Sequence, residues 1–231
     1  MIKIIIGNIC FIQNINTILF INLDSRKDRY QKFTEHFNTL NLPYERFSAV
    51  KTDVEKFQKE FNISNKSLSY LRNYIDKGWV NGTLGCLSSH LRILKQVWNL
   101  YQKSEDKKEL GEKFLLILED DCIPSLNQIY SAIKFYQEHP KLDLLRLNSF
   151  QSTVFNTAKS GLILKDNDHK HFGNIPKGLY QDGGTHFCLH KIKHINRVIN
   201  FLTTENIFYI DAMYHTTKIN SGWLTVDRTI R

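Results

Sequence analysis

The sequence has few residues that can cross-link a chain or interrupt its secondary structure: 231 residues include only four cysteines and four prolines. Cys10, Cys86, Cys122 and Cys188 lie far apart and include no C-x-x-C pair. This spacing argues against a disulfide scaffold or a zinc ribbon and favours reduced thiols, as in a cytoplasmic protein. We therefore expect a fold that depends on its hydrophobic core.

Long hydrophobic runs are also missing, and a bilayer-spanning helix needs about 20 apolar residues. The apolar segment 1–12 is shorter, lacks the features of a signal peptide and favours a leading strand. A cytoplasmic protein is expected, and its formal charge of +8 is compatible with peripheral contact with an anionic membrane. The basic residues form no stripe with interleaved aromatics, so nucleic acid is not an expected partner and a metal-dependent nuclease is disfavoured.

Short apolar segments alternate with amphipathic ones along the chain. Strands are predicted at residues 17–23, 44–50, 114–118, 142–147, 185–190 and 223–226, and helices at 84–101, 126–138 and 191–202. Another helix is predicted between the first two strands, and the charged segment 103–113 is expected to be a solvated connection. This alternation predicts an α/β fold, an open and mostly parallel sheet flanked by helices, within a single domain.

The acidic triplet Glu119-Asp120-Asp121 directly follows the buried strand predicted at 114–118. Ligands of open α/β sheets bind beyond the carboxyl ends of the strands, so this is where a site is expected. Adjacent carboxylates suit Mn²⁺ or Mg²⁺, which would neutralise charge on a leaving diphosphate. The alternative is a solvated acidic turn that caps the next helix.

Three further motifs contain candidate ligand-binding residues. Asn22, Arg26 and Arg29 lie at and just after the end of the first strand, where backbone N–H groups and arginine side chains suit a diphosphate, although taken alone they are better explained by a capped surface helix. In residues 82–90 (GTLGCLSSH), the two glycines permit close approach of a ligand, although a helix start with a satisfied polar cluster explains the motif at least as well. Cys86 and His90, four residues apart, also suit zinc, but the sequence offers no convincing second pair of ligands.

The last motif is residues 183–186 (GGTH), followed by an acid, Asp211, within residues 208–215 (FYIDAMYH). A turn that presents a threonine and a histidine, together with a separate acid, would complete a sugar or acceptor pocket. Taken alone, these residues are equally compatible with structural roles.

In this order, the motifs resemble glycosyltransferase family 25, the lipooligosaccharide and procollagen galactosyltransferase family. The resemblance covers residues 17–215 and rests on FINLDSRKDR (20–29), LPYERFSAV (42–50), GTLGCLSSH (82–90), LLILEDD (115–121), DLLRLN (143–148), GGTHFCLH (183–190) and YID (209–211). It implies a GT-A-like fold, a UDP-sugar donor carrying galactose or glucose, and inverting transfer to a glycan, lipid-linked or protein acceptor.

The resemblance also implies roles for individual residues. Metal binding falls to Asp121 and Glu119, and donor binding to Asn22, Arg26, Arg29, Gly85, Ser89, His90, Glu119, Asp120, Thr185 and His186. Asp211 is the first candidate for the catalytic base and Asp182 the second. The alternative is a catalytically degenerate relative that still binds a nucleotide sugar or a glycan.

Overall fold

The computed structural model describes residues 3–6, 9–12, 17–74, 77–148, 160–163, 186–207, 210–213 and 219–225. Its strands are Lys3–Ile6 (β1), Ile9–Ile12 (β2), Thr17–Asn22 (β3), Glu45–Ser48 (β4), Phe114–Glu119 (β5), Leu144–Asn148 (β6), Ser160–Ile163 (β7), Phe187–Lys191 (β8) and Ser221–Thr225 (β9). Its α-helices are Lys27–Leu40 (α1), Val54–Phe61 (α2), Asn65–Tyr74 (α3), Lys77–Lys103 (α4), Lys107–Glu112 (α5), Leu126–Glu138 (α6), Ile195–Thr204 (α7) and Ile210–Met213 (α8). A 3-10 turn, Ile192–His194, precedes α7.

Seven of the described strands form one sheet, in the order β4-β3-β5-β8-β6-β9-β7. Five strands run in one direction, and β8 and β7 run against them. The predicted α/β fold with an open, mostly parallel sheet is therefore confirmed. Strands β1 and β2 pair with each other as a separate antiparallel hairpin, in the segment where one leading strand was expected.

Successive side chains of a strand point to opposite faces of the sheet, so the buried strands present apolar side chains on both faces, and helices cover both. On β3 and β5, Leu19 and Ile117 pack on the side of α2, α3, α4 and α7, whereas Phe20 and Leu118 pack on the side of α1 and α6. These two apolar clusters make a three-layered arrangement. Because the alternation continues past the end of a strand, it also determines which helices the next residues face.

Other predicted segments also differ from the structure. Residues 103–113 were expected to be a solvated connection, but they contain α5, whose Leu110 is buried. The side chain of Asp106 accepts a hydrogen bond from the backbone N–H of Glu109 and so caps this short helix. Helix α4 begins seven residues before the predicted residue 84.

Within the described part of the chain, no helix is long and apolar enough to cross a membrane. That residues 1–231 form a single domain stays a prediction.

Candidate functional site

The acidic triplet lies at the carboxyl end of β5, and its members face different helices. Glu119 continues the row of Leu115 and Ile117, which faces α4, and its carboxylate lies beside α4. Asp120 points the other way, towards the start of α1. The alternation of the strand thus divides one run of acids between two environments.

The carboxylate of Asp120 is nearly buried, with 9% of its side chain exposed, and is neutralised by the protein itself. Asn22 Nδ2 donates to Oδ2 at 2.8 Å, and Arg29 Nη1 donates to Oδ1 at 2.7 Å. Arg29 also approaches Oδ2 of Asp121 at 3.5 Å. Asp120 is therefore held by hydrogen bonds, and Arg29 stands between two of the three acids.

Asn22 connects this group to the neighbouring strand. Its side chain is buried, donates to the backbone carbonyl of Arg26 at 3.1 Å, and accepts from Arg46 Nε at 2.9 Å. Arg46 also forms an ion pair with Asp24, to which Ser48 donates a further hydrogen bond. The hydrogen bonds from Arg46 and Ser48 lower the pKa of Asp24.

Glu119 faces a second group of side chains on α4. Its Oε1 lies 3.4 Å from His90 Nε2 and 3.5 Å from Cys86 Sγ. His90 is fully buried, Cys86 is half-buried, and 22% of the Glu119 side chain is exposed. Glu119 thus contacts side chains of α4 and is also accessible to solvent.

A candidate metal-binding group is formed by Glu119, Asp121 and His186. Their ligand atoms all lie within 4.8 Å of one another, with His186 Nδ1 at 2.8 Å from Asp121 Oδ1 and 3.5 Å from Glu119 Oε2. The backbone N–H of Glu119 donates to the carbonyl of His186 at 2.9 Å, which fixes the two segments together. All three side chains are partly exposed, so a bound ion would keep positions open for a substrate.

Gly85 and Ser89 lie one turn apart on α4 and hold the segment that follows β4. A Cβ atom on Gly85 would approach the carbonyl oxygen of Val50 to 2.7 Å, closer than real contacts allow. Ser89 is fully buried, accepts from the backbone N–H of Val50 at 2.9 Å and donates to the carbonyl of Gly85 at 2.7 Å. This geometry favours a positioning role for both residues behind the site.

His190 on β8 is buried on the same side of the sheet as His90. Within the described ranges, neither of its ring nitrogens has a hydrogen-bond partner. Burial, with a smaller contribution from the neighbouring His90, lowers its pKa to about 3. His190 is therefore neutral at ordinary pH.

The remaining predicted residues lie at the margin or outside the described residues. Arg26 forms an exposed ion pair with Asp28 at 2.8 Å. Asp211 lies in α8, but its side chain is not among those described. Asp182 and Thr185 lie outside the described residues, so their predicted roles stay predictions.

Arg46 and Val50 were missed by sequence reasoning. Arg46 holds Asn22, and the carbonyl and amide of Val50 receive α4. For Arg46, the sequence gives only a weak signal, an arginine within the strand that follows the first β-α unit. Nothing in the sequence marks Val50, because its role depends on backbone atoms.

The chain is similar to proteins of one family. The model of "Glycosyltransferase family 25 (LPS biosynthesis protein)" matches residues 15–177. A "Putative glycosyltransferase" of Haemophilus influenzae is 26% identical over 165 residues, which are 68% of this chain and 56% of that protein. A "Glycosyltransferase 25 family member" of Anopheles gambiae is 28% identical over 109 residues, 47% of this chain and 17% of that protein. The chain therefore spans about half of one relative and less of the other, and the family match ends before His186.

Proposed function

Because the chain belongs to glycosyltransferase family 25, we propose that it transfers a hexose, galactose or glucose, from a UDP-sugar to a hydroxyl group of an acceptor. The observation that carries this proposal is the group of Glu119, Asp121 and His186 at the carboxyl end of β5, beside Arg29. Acids and an imidazole around one exposed point, with a guanidinium next to them, suit a metal-bound diphosphate.

Arg29 and the start of α1 are the proposed contacts of the diphosphate. The Arg29 side chain is 36% exposed and shares its Nη1 between Asp120 and Asp121, so other N–H groups of the guanidinium are available to phosphate oxygens. Arg26, also exposed, would add a second positive charge. Asn22 would act indirectly, because its amide orients Asp120 while Asp120 orients Arg29.

We propose Mn²⁺ or Mg²⁺ as the cofactor, held by Asp121 and Glu119. The donor set fits such an ion, since two carboxylates and one imidazole lie within reach of one point and remain open to solvent. When bound, the ion would neutralise negative charge on the leaving UDP. His186 would change from a partner of Asp121 to a ligand, a role that we propose in addition to its predicted donor contact.

The proposed reaction is a single displacement with inversion at the anomeric carbon. The acceptor oxygen forms a bond to that carbon as the bond to the UDP oxygen breaks, and UDP leaves with the electron pair. The acceptor proton passes to a carboxylate acting as general base. Asp211 is the first candidate for this base and Asp182 the second, as predicted from the sequence.

The acceptor is proposed to be a glycan, a lipooligosaccharide or a protein. A lipid-linked acceptor would bring the enzyme to a membrane surface, and the formal charge of +8 favours peripheral contact with anionic lipids. A cytoplasmic location belongs to the same proposal.

The test is hydrolysis and transfer across a panel of UDP-sugars, with Mn²⁺ and with EDTA. Asp121→Asn is compared with Glu105→Gln, an exposed acid that lies between α4 and α5. We expect donor-selective turnover that requires metal, falls by at least about a hundredfold in Asp121→Asn and is unchanged in the control. Binding of a UDP-sugar without turnover would favour the degenerate relative, and absence of binding would contradict the proposal.

A further inference from the structure

A second group of potential metal ligands lies on the α4 side of Glu119. Cys86 Sγ, His90 Nε2 and a Glu119 oxygen all lie within 4.8 Å of one another. We propose that these three side chains form a separate site for a soft divalent cation, with Zn²⁺ as the probe of that class. The sequence offered only Cys86 and His90; the fold adds the third ligand from β5.

The distances from Glu119 to the other two ligand atoms are those that a shared ion would require. Glu119 Oε1 lies 3.4 Å from His90 Nε2 and 3.5 Å from Cys86 Sγ. Zinc bonds of about 2.0–2.3 Å at tetrahedral angles place oxygen, nitrogen and sulfur ligands about 3.3–3.6 Å apart. A nitrogen–oxygen hydrogen bond normally measures about 2.9 Å. Little rearrangement is therefore needed to receive the ion.

The three side chains are held by α4 and β5, and solvent reaches the group from one side. Cys86 and His90 are four residues apart, so they lie on one face of a 27-residue helix. His90 is fully buried, whereas Cys86 and Glu119 keep partial access to solvent. An ion would enter from the exposed side, and water would complete the tetrahedron as a fourth ligand.

The two metal groups differ in their chemistry. A thiolate and an imidazole select zinc-like cations, whereas two carboxylates and one imidazole also suit the harder Mn²⁺ and Mg²⁺. Binding through Cys86 requires the thiolate, so the thiol proton is released to solvent as the sulfur–metal bond forms.

Glu119 belongs to both groups, and this has a consequence for the reaction. Its Oε1 faces Cys86 and His90 and its Oε2 faces His186, so a zinc ion on Oε1 would reduce the negative charge that the carboxylate offers to a metal between Asp121 and His186. Zinc and the UDP-sugar complex should then compete. This consequence rests on the proposed function, whereas the zinc site itself does not.

The experiment is a calorimetric titration of the metal-free, reduced protein with ZnCl₂, followed by CoCl₂ titration monitored by thiolate-to-cobalt absorption. The variants are Cys86→Ala, Asp121→Asn and Cys122→Ala, the last removing a buried thiol that is not in the group. Circular dichroism checks that each variant is folded. No sugar substrate is used, so the outcome is independent of the proposed transferase activity.

We expect a zinc equivalent whose affinity falls by at least about tenfold in Cys86→Ala, since even outer partners of metal ligands contribute that much. Asp121→Asn and Cys122→Ala should retain it, and cobalt should give a thiolate band that only Cys86→Ala loses. Unchanged zinc affinity in folded Cys86→Ala, loss in Asp121→Asn, or cobalt binding without a thiolate band would each overturn the proposal.

Discussion

Asn22 donates a hydrogen bond of 2.8 Å to Asp120, which lies 98 residues further along the chain. The contact exists because β3 and β5 are parallel neighbours, so the residues at and just beyond their carboxyl ends meet at one edge of the sheet. The same carboxylate is paired with Arg29, and the same asparagine is held by Arg46. One buried amide thereby connects both strands that flank β3.

This relationship predicts that Asn22→Asp is destabilising despite its nearly identical shape. The amide that donates to Asp120 would become a carboxylate facing another carboxylate, and Arg46 would compensate only one side of it. We expect the free energy of unfolding to fall by about 1–3 kcal/mol, measured by urea denaturation. The control is Asn65→Asp, exposed in the first turn of α3, where a change within about 0.5 kcal/mol is expected. Equal effects of the two substitutions would contradict this account of Asn22.

The two glycines of α4 are expected to respond to alanine in opposite directions. At Gly82 a Cβ atom meets nothing within 4 Å, so Gly82→Ala should stabilise by up to about 1 kcal/mol through helix propensity. At Gly85 it meets the carbonyl oxygen of Val50 at 2.7 Å, so Gly85→Ala should destabilise by about 1–3 kcal/mol. Thermal unfolding of both variants checks this pair. A higher unfolding temperature in Gly85→Ala would show that α4 does not pack closely against the backbone of Val50.

His190 should make the protein less stable in mild acid. Its folded pKa of about 3 lies below the ordinary 6.5, so between these values the unfolded chain binds more protons. The free energy of unfolding should therefore decrease as the pH falls through this window, by up to about 1.4 kcal/mol per pH unit.

The matched variant is His190→Leu, which removes two buried nitrogens that have no partner in the described part of the chain. Urea unfolding at several values of pH between 7.5 and 4.5 should show a shallower decline than in the wild type, with stability at pH 7.5 equal or higher. Identical pH slopes for the two proteins would contradict the assignment.

Much of the site could be located from the sequence because it depends on a local rule. Acids and amides that directly follow buried strands meet at one edge of a parallel sheet, and this rule brings Asn22 to Asp120. The separate environments of Glu119 and Asp120 also follow from alternation along β5, once the helices on each face are known.

Other features depend on long-range pairing that no local pattern encodes. His186 reaches Asp121 because β8 inserts antiparallel beside β5, with Phe187 opposite Leu118, so that β8 begins where β5 ends. The sequence contains the strand but not its direction or its neighbours. Gly85 and Ser89 suggested a ligand contact, whereas their observed partners are backbone atoms of Val50.

We propose that the edge of the sheet at Glu119, Asp121 and His186 binds a nucleotide diphosphate through a divalent metal. Calorimetric titration of the protein with UDP, in Mn²⁺ and in EDTA, tests this proposal. We expect binding in Mn²⁺ that weakens by at least about tenfold in EDTA and in Asp121→Asn, with Glu105→Gln unchanged. UDP binding of equal affinity in Mn²⁺, in EDTA and in Asp121→Asn, or no binding at all, would contradict the account.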